Sequence, residues 1–151
     1  MKIVETDSTI IRLTRQWFIP MARIALFIIF FWFGFLKLIN VSPAGPLAQA
    51  LVAKTIGLRY FSLAYHLLAF IECLIGMLFL FPKATRIVIP LLLFHMLIVS
   101  GPLVLVPNLT WQGFLVPTLE GQYIIKNLAV IALAIGIAAD TRPLIATIKR
   151  H

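Results

Sequence analysis

Hydrophobic positions along the chain do not alternate with polar ones at a period of two. They gather into four long runs, near residues 17–39, 60–81, 84–106 and 122–139. Each run is long enough to cross about 30 Å of hydrocarbon at roughly 1.5 Å per helical residue. The pattern predicts an all-α, integral membrane four-helix bundle, a single domain over residues 1–151. The second and third runs are separated by little more than "PKAT", so they form a tight antiparallel hairpin in which Pro82 breaks the helix. A polar stretch with Glu5, Asp7, Arg12 and Arg15 precedes the first run, and no small-residue cleavage site follows it, so this run reads as a retained span rather than a cleaved signal.

The connections carry their own signals. In "PLAQALVAKTIG" a proline opens a short helical pattern and Gly57 closes it, which predicts an amphipathic helix on the outer interface in the first outer loop. The loop "VPNLTWQGFLVPTLEGQ" combines prolines with Trp111 and Phe114. It reads either as a lid dipping into the headgroup layer or as an ordinary aromatic anchor. Basic residues set the orientation. Lys2, Arg12, Arg15, Lys83, Arg86, Arg142, Lys149 and Arg150 fall on the side of both termini, whereas the opposite side has Lys37, Lys54, Arg59 and Lys126, all at or between helix ends, and the loop from Pro107 to Gly121 carries none. Both termini are therefore expected to be cytoplasmic.

Composition agrees with the pattern: 62% of the 151 residues are hydrophobic and 12% are charged. A sequence pI near 10.3 does not here signal nucleic-acid binding, because the 13 Lys and Arg are spread thinly between uncharged runs. The single cysteine, Cys73, excludes a disulfide within the chain and a paired-cysteine redox motif.

Charges inside the runs are the candidate chemistry. Arg23, Phe27, Phe30, Gly34 and Lys37 recur at intervals of four, three, four and three residues and share one helical stripe. Gly34 permits close helix approach, so the stripe faces the bundle; the competing reading lets Arg23 and Lys37 snorkel to opposite interfaces. On the second span Tyr65, Ala69, Glu72 and Gly76 form a stripe with Glu72 near mid-depth, where a glutamate is too short to snorkel and requires a partner. The fourth span offers Lys126, in line with Ala129, Leu133 and Gly136, as the first-choice partner of Glu72. Such a pair is either a proton-handling site or a register-fixing ion pair. With Arg23, Lys37 and Lys126 answered only by Glu72, the interior is expected to hold spare positive charge suited to an anionic or electron-rich ligand. His95, near the middle of the third span, is a candidate relay, and Tyr65, His66 and Trp111 are further candidate ligand contacts. Haem ligation by His66 and His95 is disfavoured, because their depths differ by about 7 Å at the helical rise.

Three stretches together, "RIALFIIFFWFGFLKLI", "AFIECLIGMLFLF" and "EGQYIIKNLAVIALAIGIAAD", resemble the DoxX-like membrane proteins. In that family an arginine, a W/F-x-G-x-x-K pattern, an E-x-x-x-G pattern and a G-x-x-x-x-K pattern recur in this order. They fall here on Arg23, on Trp32, Gly34 and Lys37, on Glu72 and Gly76, and on Gly121 and Lys126. The resemblance implies a four-helix membrane bundle, similar to the DoxD subunit of a thiosulfate:quinone oxidoreductase and associated with oxidative-stress defence in bacteria. Distant eukaryotic relatives are cargo receptors or receptor chaperones. Two functions follow as expectations. One is a quinone-linked redox component of the bacterial inner membrane, in which Lys37, Glu72 and Lys126 bind the quinone or an anionic reductant and Glu72 carries the proton, with a redox partner subunit or a homo-oligomer as company. The other is a non-enzymatic scaffold, chaperone, or lipid- or cargo-binding protein.

Overall fold

A computed structural model describes the backbone of residues 2–141 and the side chains of residues 6–141. Lys2, as a side chain, and Arg142, Lys149 and Arg150, which entered the orientation argument, lie outside the described residues. Four helices are long and apolar enough to cross a membrane.

The first helix, α1, runs from Lys2 to Leu38, well beyond the expected start at residue 17. Pro20 lies inside it, removing one backbone donor without ending the helix. The end of α1 is fixed by Asn40 at φ 58, a left-handed position that asparagine tolerates. There the Val41 N–H donates to the Leu36 carbonyl (3.0 Å) and the Asn40 N–H to the Lys37 carbonyl (3.1 Å). The predicted short helix is α2, Gly45–Thr55, closed by Gly57 at φ 91.

Helix α3, Phe61–Phe79, and helix α4, Thr85–Ser100, form the hairpin around a single 3-10 turn at Pro82–Ala84. The third span breaks at Pro102, where the short α5, Pro102–Leu105, takes over, followed by α6, Pro107–Thr110. The long outer loop is not merely irregular. Its strands β1, Trp111–Gly113, and β2, Val116–Pro117, pair antiparallel with Leu115 at φ 56 in the turn. Helix α7, Leu119–Ala139, starts three residues earlier than the hydrophobic run suggested, because the Thr118 hydroxyl accepts the Gly121 N–H at 3.1 Å and caps the helix.

In space α1 lies along α3, α3 packs on α4, α4 on α7, and α7 returns to α1. Ala22, Leu26 and Phe30 of α1 meet Ile75 and Phe79 of α3, Val88, Leu92 and Met96 of α4, and Ala134 and Ile137 of α7 in one core. Outward positions are equally apolar: Trp32, Phe33, Phe70, Phe94, Leu97 and Leu128 are exposed on the bundle's flanks. A soluble protein would not leave such a girdle bare, whereas lipid solvates it. The start of α1 and the end of α7 share one end of the bundle, since Ile10 and Asp140 line the same groove there.

Candidate functional site

Two glycines build the seam on which the site rests. A Cβ on Gly34 would come within 2.8 Å of the Ala69 carbonyl oxygen and of the Cys73 nitrogen. One on Gly76 would lie 2.6 Å from the Phe31 nitrogen. Only hydrogen at these positions lets the α1 and α3 backbones meet so closely. Side chains in a helix lean towards its N-terminus, and the two helices run antiparallel. Lys37, one residue from the end of α1, therefore leans into the bundle, and Glu72 leans up to meet it.

The Lys37 Nζ donates to Glu72 Oε2, with both residues buried. The other carboxylate oxygen, Oε1, lies 3.3 Å from His95 Nε2 on α4. His95 is buried, with its ring edge-on to Phe30 at a centroid distance of 5.8 Å. Its Nδ1 is buried and has no hydrogen-bond partner among the described residues. One carboxylate thus links three helices, with an ammonium on one oxygen and an imidazole on the other. A carboxylate so placed can accept from the Lys37 ammonium on one oxygen and from an N–H of His95 on the other.

The expected Glu72–Lys126 pair does not form. Lys126 is exposed and its ammonium lies over the Tyr123 ring, 5.0 Å from the centroid. The reason is local and angular: the first turns of α7 bury Gly121 and Ile124, and Lys126 is two residues past Ile124, about 200° around the helix. The expected pool of spare cations does not form either. Arg23 is 14 positions from Lys37, roughly 21 Å along α1. It donates instead to the Phe79 carbonyl (3.2 Å) and to the Thr85 hydroxyl (2.6 Å), which in turn donates to the Pro82 carbonyl at 2.7 Å. Arg23 is a clasp on the α3–α4 turn, at the opposite end from Lys37.

The other candidates divide. Tyr65 is buried two turns from Glu72 on the same face of α3, stacked on Phe61 and with its hydroxyl beside Ser42, so it closes the far end of the seam. His66 turns away from the seam and bonds its own helix, with Nδ1 2.7 Å from the Ser62 carbonyl oxygen. Trp111 donates its indole N–H to the Leu103 carbonyl at 2.9 Å, which ties β1 to α5 rather than to the site. Of the eight residues singled out from the sequence, the structure joins Lys37, Glu72 and His95. The contact of His95 with Glu72 escaped the sequence reading, because nothing in a run as uniformly apolar as α4 says which way a histidine faces. Thr85, which receives Arg23, was also overlooked, although a threonine just after "PKA" is a recognisable helix start.

Fold and site together define a multi-span α-helical membrane protein with a buried Lys–Glu–His triad between three helices. Comparison with family models, with curated proteins and with solved structures found no match to this chain.

Proposed function

We propose that this chain is a DoxX-like, multi-pass protein of a bacterial cytoplasmic membrane that serves as a quinone-linked redox component in respiration or oxidative-stress defence. The triad of Lys37, Glu72 and His95 is its proton-handling site. One observation carries the reading: a carboxylate shared by an ammonium and an imidazole whose far nitrogen is buried and unpartnered among the described residues. A proton reaching His95 Nδ1 lets the ring pass its Nε2 proton to Glu72 Oε1, so the pair moves one proton without moving either helix. Lys37 compensates the carboxylate charge before the proton arrives. A quinone supplies the electron chemistry in this scheme, since the chain has one cysteine. In this scheme Nδ1 accepts, so its partner is the hydroxyl of a quinol, whose proton it takes, and Lys126 is left to the lipid-facing flank.

Lys83, Arg86, Arg12 and Arg15 then lie on the cytoplasmic side with both termini. The short α2, none of whose residues is buried, rests on the outer interface, and the β-hairpin dips its exposed Phe114 into the same layer. The company is membrane lipid, with a redox partner subunit or a second copy of the chain.

A second reading, a non-enzymatic scaffold, chaperone or cargo-binding protein, is favoured by the tight Gly34–Gly76 seam, on which a Lys37–Glu72 bond would merely fix register. Gently solubilised protein separates the two. The redox reading expects co-purified quinone, an absorbance change on adding reductant, and a Glu72→Gln variant that still folds, with only a modest loss of stability, but loses turnover or stress resistance. A quinone-free, redox-silent protein whose Glu72→Gln variant keeps its biological activity refutes it. A C-terminal reporter active only outside the cytoplasm refutes the orientation.

A further inference from the structure

At the end of the bundle far from the triad, α1 continues past Pro20 as a segment with two faces. Ser8, Arg12, Arg15 and Gln16 fall on one side at helical spacing, and Ile10, Ile11, Leu13, Trp17 and Phe18 on the other. All of these are exposed, Trp17 at 58%. Between this segment and the last turn of α7 runs an open groove of about 620 Å³. Ile10, Ile11, Phe18, Ile19 and Ala139 give it apolar walls, and Arg15 stands on its rim. Gly136 forms part of the floor, its Cβ position 3.4 Å from the Phe18 ring.

We infer that this groove binds an anionic phospholipid of the adjacent leaflet, one acyl chain lying between α1 and α7 and the phosphate held by Arg15 and Arg12. Charge identifies the occupant. Arg12 and Arg15 share this end of the molecule with Lys83 and Arg86 of the α3–α4 turn, and a surface of that sign favours an anionic headgroup. Among the described side chains two acids stand nearby. Asp140, on the groove, is within electrostatic reach of Arg23, and Asp7 belongs to the first turns of α1, where the helix dipole favours a negative charge. A second copy of the chain would bring its own arginines against these and be repelled. A water-soluble partner is a poor match for exposed Trp17, Leu13 and Ile10, which suit the depth of acyl chains. This inference does not depend on the redox reading, because the groove and the triad occupy opposite ends of the bundle.

Native mass spectrometry of the full chain in detergent, titrated with phosphatidylglycerol or phosphatidylcholine of identical acyl chains, tests it. Phosphatidylglycerol is expected to be retained in preference. Each basic residue at an anionic surface contributes about fivefold, so the double variant Arg12→Gln, Arg15→Gln should bind phosphatidylglycerol about twenty-fivefold more weakly, and weaken phosphatidylcholine, whose phosphate is offset by its own ammonium, much less. Ala139→Phe, which fills the groove without altering charge, should lower retention of both lipids; Thr14→Phe, on the opposite wall, serves if the first variant fails to melt like the wild type. Equal binding of the two lipids by the wild type, an undiminished preference in the double arginine variant, or undiminished retention in the groove-filled variant overturns the inference.

Discussion

Replacing Lys37 by Met, Glu72 by Gln, and both together, should give three very different losses of stability. Glu72 stands 11 residues into α3, about 16 Å from its start, and cannot reach either headgroup layer. Lys37→Met strands its carboxylate with only His95 for company, a loss of about 3–5 kcal/mol by analogy with other broken buried pairs. Glu72→Gln strands an ammonium instead, but Lys37 is one residue from the end of α1 and its long stem can swing outward, so roughly 1–2 kcal/mol is expected. The double variant holds no charge to strand and should fall short of the summed singles by roughly 2–3 kcal/mol. Equilibrium unfolding in mixed detergent, followed by helical circular dichroism, reads all four corners of the cycle. Additivity within about 0.5 kcal/mol, or a harmless Lys37→Met, refutes the claim that these two side chains depend on each other.

Gly34→Leu forces a Cβ to within 2.8 Å of α3 backbone atoms, so α1 must withdraw. A destabilisation of about 1–3 kcal/mol is expected, and in that background the Lys37–Glu72 coupling measured by the same cycle should shrink. Arg23→Gln removes two charge-assisted hydrogen bonds from the α3–α4 turn and should cost about 2 kcal/mol by the same unfolding assay, while leaving that coupling intact. Gly121→Ala places a Cβ 2.1 Å from the Thr110 carbonyl oxygen, so the β-hairpin should unseat and limited proteolysis should cut near Phe114 faster while the bundle melts as before.

The elements and the seam were legible in the sequence for one reason, and the partner of Glu72 was not for another. Length and hydropathy place four spans because lipid makes the same demand on every crossing helix. Small residues such as Gly34 and Gly76 mark a seam because bulk is excluded there whatever the neighbour. Facing is different. In water a helix declares its inner side by the polarity of its outer side, but α3, α4 and α7 are apolar all round, and a lysine on such a helix is as compatible with the lipid flank as with the core. Lys126 could therefore be preferred on paper to Lys37 as the partner of Glu72. What separates them is direction: Lys37 leans down the bundle from the end of α1 and Glu72 leans up from antiparallel α3, whereas Lys126 leaves α7 about 200° from Ile124 and finds Tyr123. The length of α1 was hidden by the opposite circumstance. Its first turns do have two faces, Arg12 and Arg15 against Ile10, Leu13 and Trp17, but the charges on one face made the whole stretch look like a polar leader when it was weighed for hydropathy alone. A membrane chain is thus most readable from sequence where lipid or a neighbouring backbone imposes a single answer, and least readable where an apolar helix leaves its one charge free to point either way.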